Sequence, residues 1–142
     1  HMQEKERGFR CYFDEKNLSD FSLTTLKLKY SNIETKLPAF INENPELSGI
    51  FITTSKAYQI ASTLSNITDE KIVLIGYDLI DKNVSFLNQG LIHFLIHQNQ
   101  KRQAYLGVST LVEHFLFRKD IPETILLPID IINVENASFY IS

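Results

Sequence analysis

Three short stretches of the chain hold side chains suited to meeting a small molecule: Thr53-Thr54-Ser55, Tyr77-Asp78 and His97-Gln98-Asn99. Each follows or ends an apolar run, respectively "GIFIT" (49–53), "KIVLIGY" (71–77) and "LIHFLI" (91–96). Together they supply a carboxylate, uncharged amides, hydroxyls and an aromatic ring. Asp accepts from two neighbouring hydroxyls, Gln both donates and accepts, and an aromatic face covers C–H patches, so the set suits a neutral polyhydroxylated ligand. Competing chemistries lack their residues. There is no G-x-G-x-x-G, no P-loop lysine motif and no G-x-S-x-G elbow. Asp78 could serve as a phospho-acceptor, but no earlier strand ends in the acidic pair that such a site uses for Mg²⁺. His93 and His97 share a strand face, yet spacing places no third ligand beside them, so neither a metal nor another cofactor is expected.

The same residues have structural uses. Asp78 is equally suited to capping the helix that follows it, and Gln98 and Asn99 to capping the next one. Thr53, Thr54 and Ser55 read first as a strand end and an N-cap. Tyr77 and the Phe9, Tyr12 and Phe13 stripe read as core, and His93, inside an apolar run, as a hydrogen-bonded core histidine.

Strands and helices alternate around these stretches. Residues 4–16 have helical spacing of their aromatics, and "FSLTTLKL" (21–28) alternates as a strand with one exposed face. Ser31-Asn32-Ile33-Glu34 has the pattern of a capping box ahead of a helix bearing Ile33, Leu37, Phe40 and Ile41, with Pro38 predicting a kink or a late start. Ser55 is expected to cap a helix whose inner face is Ala57, Ile60, Ala61 and Leu64. Asp81 is expected to cap a short helix that Gly90 closes. Ala104, Val108, Leu111 and Phe115 place a longer helix over 100–117. "ILLPIDIINV" (125–134) ends the series as a strand that Pro128 confines to an edge or a bend. Middle strands apolar on both faces, alternating with helices, predict a three-layer α/β/α sandwich on a mostly parallel sheet. In such sheets ligands bind beyond the carboxyl ends of the strands, where all three polar stretches fall.

The chain has 142 residues, enough for one core, and a net charge of −3 without a long basic run. It lacks the cationic footprint that phosphate contacts need, so nucleic-acid binding by these residues is not expected. The single Cys11 excludes an internal disulfide and a multi-cysteine metal site. No apolar stretch approaches the ~20 residues that cross a bilayer, and no membrane partner is expected. His1-Met2 reads as a tag remnant, with the natural sequence starting at Gln3 or earlier.

Four stretches, "KERGFRCYF" (5–13), "SGIFITTSKAYQIASTL" (48–64), "IVLIGYDLIDKNVSFLNQGLIHFLIHQNQKRQAYLGV" (72–108) and "LPIDIINVEN" (127–136), resemble the effector-binding region of LacI-type transcription regulators and the related type I periplasmic sugar-binding proteins. The 72–108 piece is the most specific. It joins Gly-Tyr-Asp, a short helix ending near Gly90 and a strand closing on Gln98-Asn99. The resemblance implies the Rossmann-like second subdomain of a type I periplasmic-binding-protein fold, spanning residues 3–142. In it, 99–127 would belong to the neighbouring subdomain, which this chain would lack together with any DNA-binding head.

Carried over by position, Asp78 resembles the aspartate that accepts ligand hydroxyls, and Gln98 the strand-end glutamine at the hinge crossing. Lys5, three residues before Gly8, stands where the family often has an arginine that forks onto the ligand. Thr54 stands where asparagine is common, and Ser55 where aspartate is. A lysine is a point charge and does not reproduce that fork.

The function implied is a cytoplasmic, homodimeric regulator that senses a small effector, a sugar, and reaches DNA only through the head absent from this chain. No enzyme activity is expected, because no candidate residue has a nucleophile–base pairing. The alternatives are a periplasmic or lipid-anchored sugar-binding protein for transport or chemotaxis, and an enzyme domain of flavodoxin-like topology using Asp78. Without its usual neighbour, the apolar face of the 100–117 helix is expected to pack on this same sheet or on another copy of the chain.

Overall fold

The apolar runs at the centre of the chain form strands in the computed structural model, which describes residues 2–67 and 71–141. Strand β1 spans Gly49–Phe51, β2 Val73–Tyr77, β3 Phe94–His97 and β4 Asp130–Ile132. They make one sheet in the order β1-β2-β3-β4, with the first two pairings parallel and β3–β4 antiparallel. The helices are α1 (Met2–Glu15), α2 (Ile33–Glu43), α3 (Ala57–Ile67), α4 (Asp81–Asn88) and α5 (Gln100–Phe117). Of the expected tag remnant, His1 lies outside the described residues, and Met2 begins α1.

Alternation along β2 divides the sheet into two faces. Leu74 and Gly76 point toward α3, joined by Leu95 from β3, and the helical side adds Leu37, Ala61, Leu64 and Leu87 to a single buried cluster. Each fully buried leucine contributes roughly 2 kcal/mol relative to an exposed one. Gly76 is required by this packing, because a Cβ there would lie 2.4 Å from that of Ala57. On the other face Phe51 and Tyr77 meet edge to face, and α1 stacks Phe9 on Phe51 with centroids 4.5 Å apart. The mixed α/β sheet between helices is the architecture expected from the alternation.

Several expectations fail locally. Residues 21–28 form no strand. The sheet ends at β1, and Leu26 and Leu28 pack against the core from an extended segment. Side chains of α1 hold that segment: Arg10 Nη1 donates to the Leu23 carbonyl at 3.3 Å, and Arg10 and Glu6 both bond the Thr25 hydroxyl. Ser31 and Glu34 make no capping box. Instead the Lys29 amide donates to Asn32 Oδ1 at 2.8 Å, closing a 3₁₀ turn (Tyr30–Asn32) that leads into α2. Pro38 sits inside α2 and does not delay its start.

The aromatic stripe of α1 is not core, since no residue of that helix is buried. The closing strand is three residues long, not ten, and lies at the sheet edge two residues after Pro128. Helix α5 spans the residues expected, but it does not pack on this sheet: none of its residues is buried, and Val108, Leu111, Phe115 and Leu116 are all exposed. Nothing among the described residues covers this face. Among the described residues, no helix is long and apolar enough to cross a membrane.

Candidate functional site

Strands β2 and β3 run parallel, so their carboxyl ends lie side by side, and both chains leave the sheet through a left-handed residue. Asp78 has φ +71° and Asn99 φ +49°. This region is costly for most side chains, but short polar ones tolerate it by bonding locally. Asp78 keeps its amide in the ladder, donating to the Ile96 carbonyl at 3.0 Å, while its carboxylate turns toward the end of β3. There Gln98 Nε2 donates to Asp78 Oδ1 at 3.2 Å, and the Gln100 side-chain amide donates to the same oxygen.

The capping alternatives divide cleanly. Asn99 is the N-cap of α5, its Oδ1 accepting from the Arg102 amide at 3.1 Å, whereas the Gln98 side chain is spent on Asp78. Asp78 caps nothing. Ile80 holds the N-cap position of α4, and Asp81, expected to cap it, is the first helical residue.

The turn after β2 is held by Asn83, which is fully buried in the first turn of α4. Its Nδ2 donates to the carbonyls of Ser55 (2.9 Å), Tyr77 (2.9 Å) and Asp78 (3.0 Å), while its Oδ1 accepts from the Tyr58 amide at 2.9 Å. One side chain thus satisfies an orphan amide of α3 and fixes the backbone that presents Asp78. Ser55 is not the cap of α3; its carbonyl is one of the groups Asn83 holds.

Lys5 reaches the site from α1. Its ammonium lies 3.5 Å from the centroid of the Tyr77 ring, a cation–π geometry, and 3.5 Å from the Thr53 carbonyl. Burial lowers the Lys5 pKa below the usual lysine value, and the Asp78 charge partly opposes that shift. Burial, and secondarily the same carboxylate, pushes the Tyr77 phenol upward. The Asp78 charge thus acts on both Lys5 and Tyr77. Thr54 is occupied locally, its hydroxyl accepting from the Lys56 amide at 3.3 Å. Of the four residues singled out in the sequence, Asp78 and Gln98 are in direct contact. Lys5 joins them through Tyr77 and the Thr53 carbonyl, and Thr54, next to Thr53, makes no hydrogen bond to the other three among the described residues.

The two histidines do not converge on a metal. His93 Nδ1 accepts from the Leu74 amide at 3.1 Å, the structural role expected of it. Burial, reinforced by the charge of Lys71, lowers its pKa. His97 packs edge to face against Tyr140, and its Nδ1 is buried without a hydrogen-bond partner among the described residues. Among the described residues, no three His, Cys, Asp or Glu side chains cluster as a metal site.

Sequence reasoning missed Asn83 and Gln100. Asn83 had a signal: it precedes the inward-facing Leu87 by four residues and so had to point into the core. Gln100 had none, being an ordinary polar residue in the first turn of a helix. What these groups form is an anchored acceptor carboxylate beside amide donors, an aromatic face and a lysine, an arrangement able to bind hydroxyl groups.

The model of the periplasmic binding protein domain matches residues 1–119. No curated protein matches significantly in sequence. Among solved structures, a protein assigned as a LacI transcriptional regulator from Bacteroides fragilis is 29% identical with a TM-score of 0.80, aligned over 98% of this chain and 49% of its own. An ABC transporter solute-binding protein from Agrobacterium vitis, bound with α-D-tagatopyranose, is 24% identical with a TM-score of 0.79, over 96% and 47%. A periplasmic ribose ABC transporter protein from Conexibacter woesei is 15% identical with a TM-score of 0.80, over 97% and 48%. The chain spans about half the length of each of these structures. With the family model covering most of its residues, the chain belongs to the periplasmic binding protein domain family.

Proposed function

We propose that this chain is one lobe of a LacI-type transcription regulator, and that a small polyhydroxylated effector, a sugar, binds beyond the carboxyl ends of β2 and β3. The observation that carries this reading is the Asp78 carboxylate, fixed on one oxygen by Gln98 and Gln100 at the mouth of the sheet. Asp78 accepts effector hydroxyls, Gln98 positions it and adds an amide, and Lys5 and Thr54 line the β1 side. The second lobe closes over the ligand and covers the bare apolar face of α5, so that residues 99–127 belong with it. Closure shifts how a cytoplasmic homodimer presents its DNA-binding heads, by as much as the effector's differential affinity for the open and closed forms. The protein binds and signals without catalysing a reaction.

The regulator is favoured over a transport protein by the 29% identity to the Bacteroides fragilis protein, against 24% and 15% for the two transport proteins. The transport reading draws on its own observation, the equally close backbone match of those proteins. Calorimetric titration of the protein carrying both lobes with a panel of monosaccharides tests the site. Asp78→Asn is expected to weaken the best binder about thirtyfold, the equivalent of roughly 2 kcal/mol for a lost charge-assisted bond. An unchanged affinity contradicts the proposal. DNA fragments retained by the protein and released by the same sugar support the regulator, whereas sugar binding with no DNA retention supports transport.

A further inference from the structure

The two charges at this site are not paired with each other. Among the described residues three ion pairs form, Arg7 with Glu4 at 2.6 Å, Arg10 with Glu6 at 3.1 Å and Lys119 with Glu113 at 3.0 Å, and Lys5 and Asp78 belong to none of them. Among the described residues Lys5 has no carboxylate within such a distance. Its ammonium, half-buried, rests on the Tyr77 ring and makes one long bond to the Thr53 carbonyl. An ammonium has three donors, and a ring face and one carbonyl leave it incompletely satisfied. Asp78 makes no direct ion pair with it, although its charge acts on the ammonium, and has one oxygen bonded by two amides and the other free of any protein donor among the described residues.

The site is therefore dipolar, with a partly desolvated cation on the β1 side and an acceptor carboxylate at the β2–β3 end. A neutral sugar satisfies the carboxylate but leaves the cation with neutral acceptors only. A ligand carrying its own carboxylate replaces the lost hydration of the ammonium with a charge-assisted bond, roughly twice as strong as a neutral one. Its hydroxyls can then turn to Asp78. Lysine, as a point charge, accepts a carboxylate from a range of directions and does not demand a forked geometry.

We infer that the ligand is a sugar acid, a uronate or aldonate, with its carboxylate on Lys5 and its hydroxyls on Asp78. The inference rests on the preceding assignment of this site and narrows its ligand class.

The test is calorimetric titration of the protein carrying both lobes with D-galacturonate and D-gluconate against D-galactose and D-glucose. At least one acid is expected to bind about tenfold or more tighter than its neutral counterpart. Lys5→Gln should abolish that preference by weakening the acids about tenfold more than the neutral sugars, and Lys5→Arg, which keeps the charge, should retain it. Neutral sugars binding as tightly as the acids overturn the inference and leave the sugar site standing. A Lys5→Gln variant that weakens acids and neutral sugars alike also overturns it. Silence from all four compounds overturns the inference together with the site assignment beneath it.

Discussion

Helices α3 and α5 carry apolar residues at the same helical spacing and meet opposite fates. In α3, Ala57, Ile60, Ala61 and Leu64 all vanish into the core, packed between the sheet and its neighbouring helices. In α5, Val108, Leu111 and Phe115 remain 64%, 50% and 76% exposed. Periodicity reports that a helix has an apolar face; it does not report which body of protein will cover it. For α3 the partner is local, supplied by β2 and α4, because a parallel crossover must lay its helix back on the sheet. For α5 there is no such constraint. It leaves β3 through the left-handed Asn99, and the chain returns to pair β4 antiparallel only at Asp130. Among the described residues this face stays bare, and exposed apolar patches of this kind are where contact surfaces usually form.

The contrast can be broken from either side. The largest effect is expected from Asn83→Leu, which strips the Tyr58 amide and the carbonyls of Ser55, Tyr77 and Asp78 of their shared partner. A loss of roughly 4 kcal/mol in urea unfolding is expected, because buried polar groups left unpaired each cost about 1–3 kcal/mol. A small loss would mean that water enters the turn freely. Next comes a matched pair. Leu95→Ala, at a fully buried position, should cost about 3 kcal/mol, and Leu111→Ala on α5 less than about 0.5 kcal/mol in the same chain. Similar costs for both would show that α5 is packed after all. Gly76→Ala should cost about 2 kcal/mol, since the new methyl group drives into Ala57.

The smallest effect belongs to His93, whose pKa in the folded chain is lowered by burial and by Lys71. The unfolded chain then binds more protons than the folded one as pH falls below the ordinary histidine value of about 6.5. The stability contribution is therefore intact above that value and is lost as pH falls through the window between it and the lowered folded value. Melting temperatures across pH 5 to 8 should show this decline, and His93→Gln should flatten it.

Much of this arrangement was legible because it depends on local rules. The alternation of β and helical periods predicted the parallel sheet, the apolar run before Asp78 located a strand end, and Gly90, at φ +74°, closes α4 where a glycine is needed. Helix α5 could be delimited to the residue from its cap and its spacing. The failures share a different cause. Residues 21–28 alternate like a strand, but a strand needs an edge to pair with, and side chains of α1 had already met that segment. Ser55 and Asp81 had the composition of caps, yet the cap of α3 came from Asn83, twenty-five residues beyond the amide it serves. The contact of Gln98 with Asp78 follows from the parallel register of β2 and β3, whereas the added contact of Gln100 depends on how α5 leaves the sheet. Pairings across elements are decided by three-dimensional competition for the same donors, which no single window of sequence contains.

The central claim is that Asp78, held by Gln98 and Gln100, reads the ligand. The most direct measurement follows the side-chain amide resonances of Gln98 and Gln100 by NMR while D-galacturonate or D-galactose is titrated into the protein carrying both lobes. Those two amides and the Asp78 backbone should shift together and saturate on one binding curve, with the amide of Gln89, just past the end of α4, unmoved. Saturable binding that leaves Gln98, Gln100 and Asp78 unperturbed would place the ligand elsewhere and contradict the account.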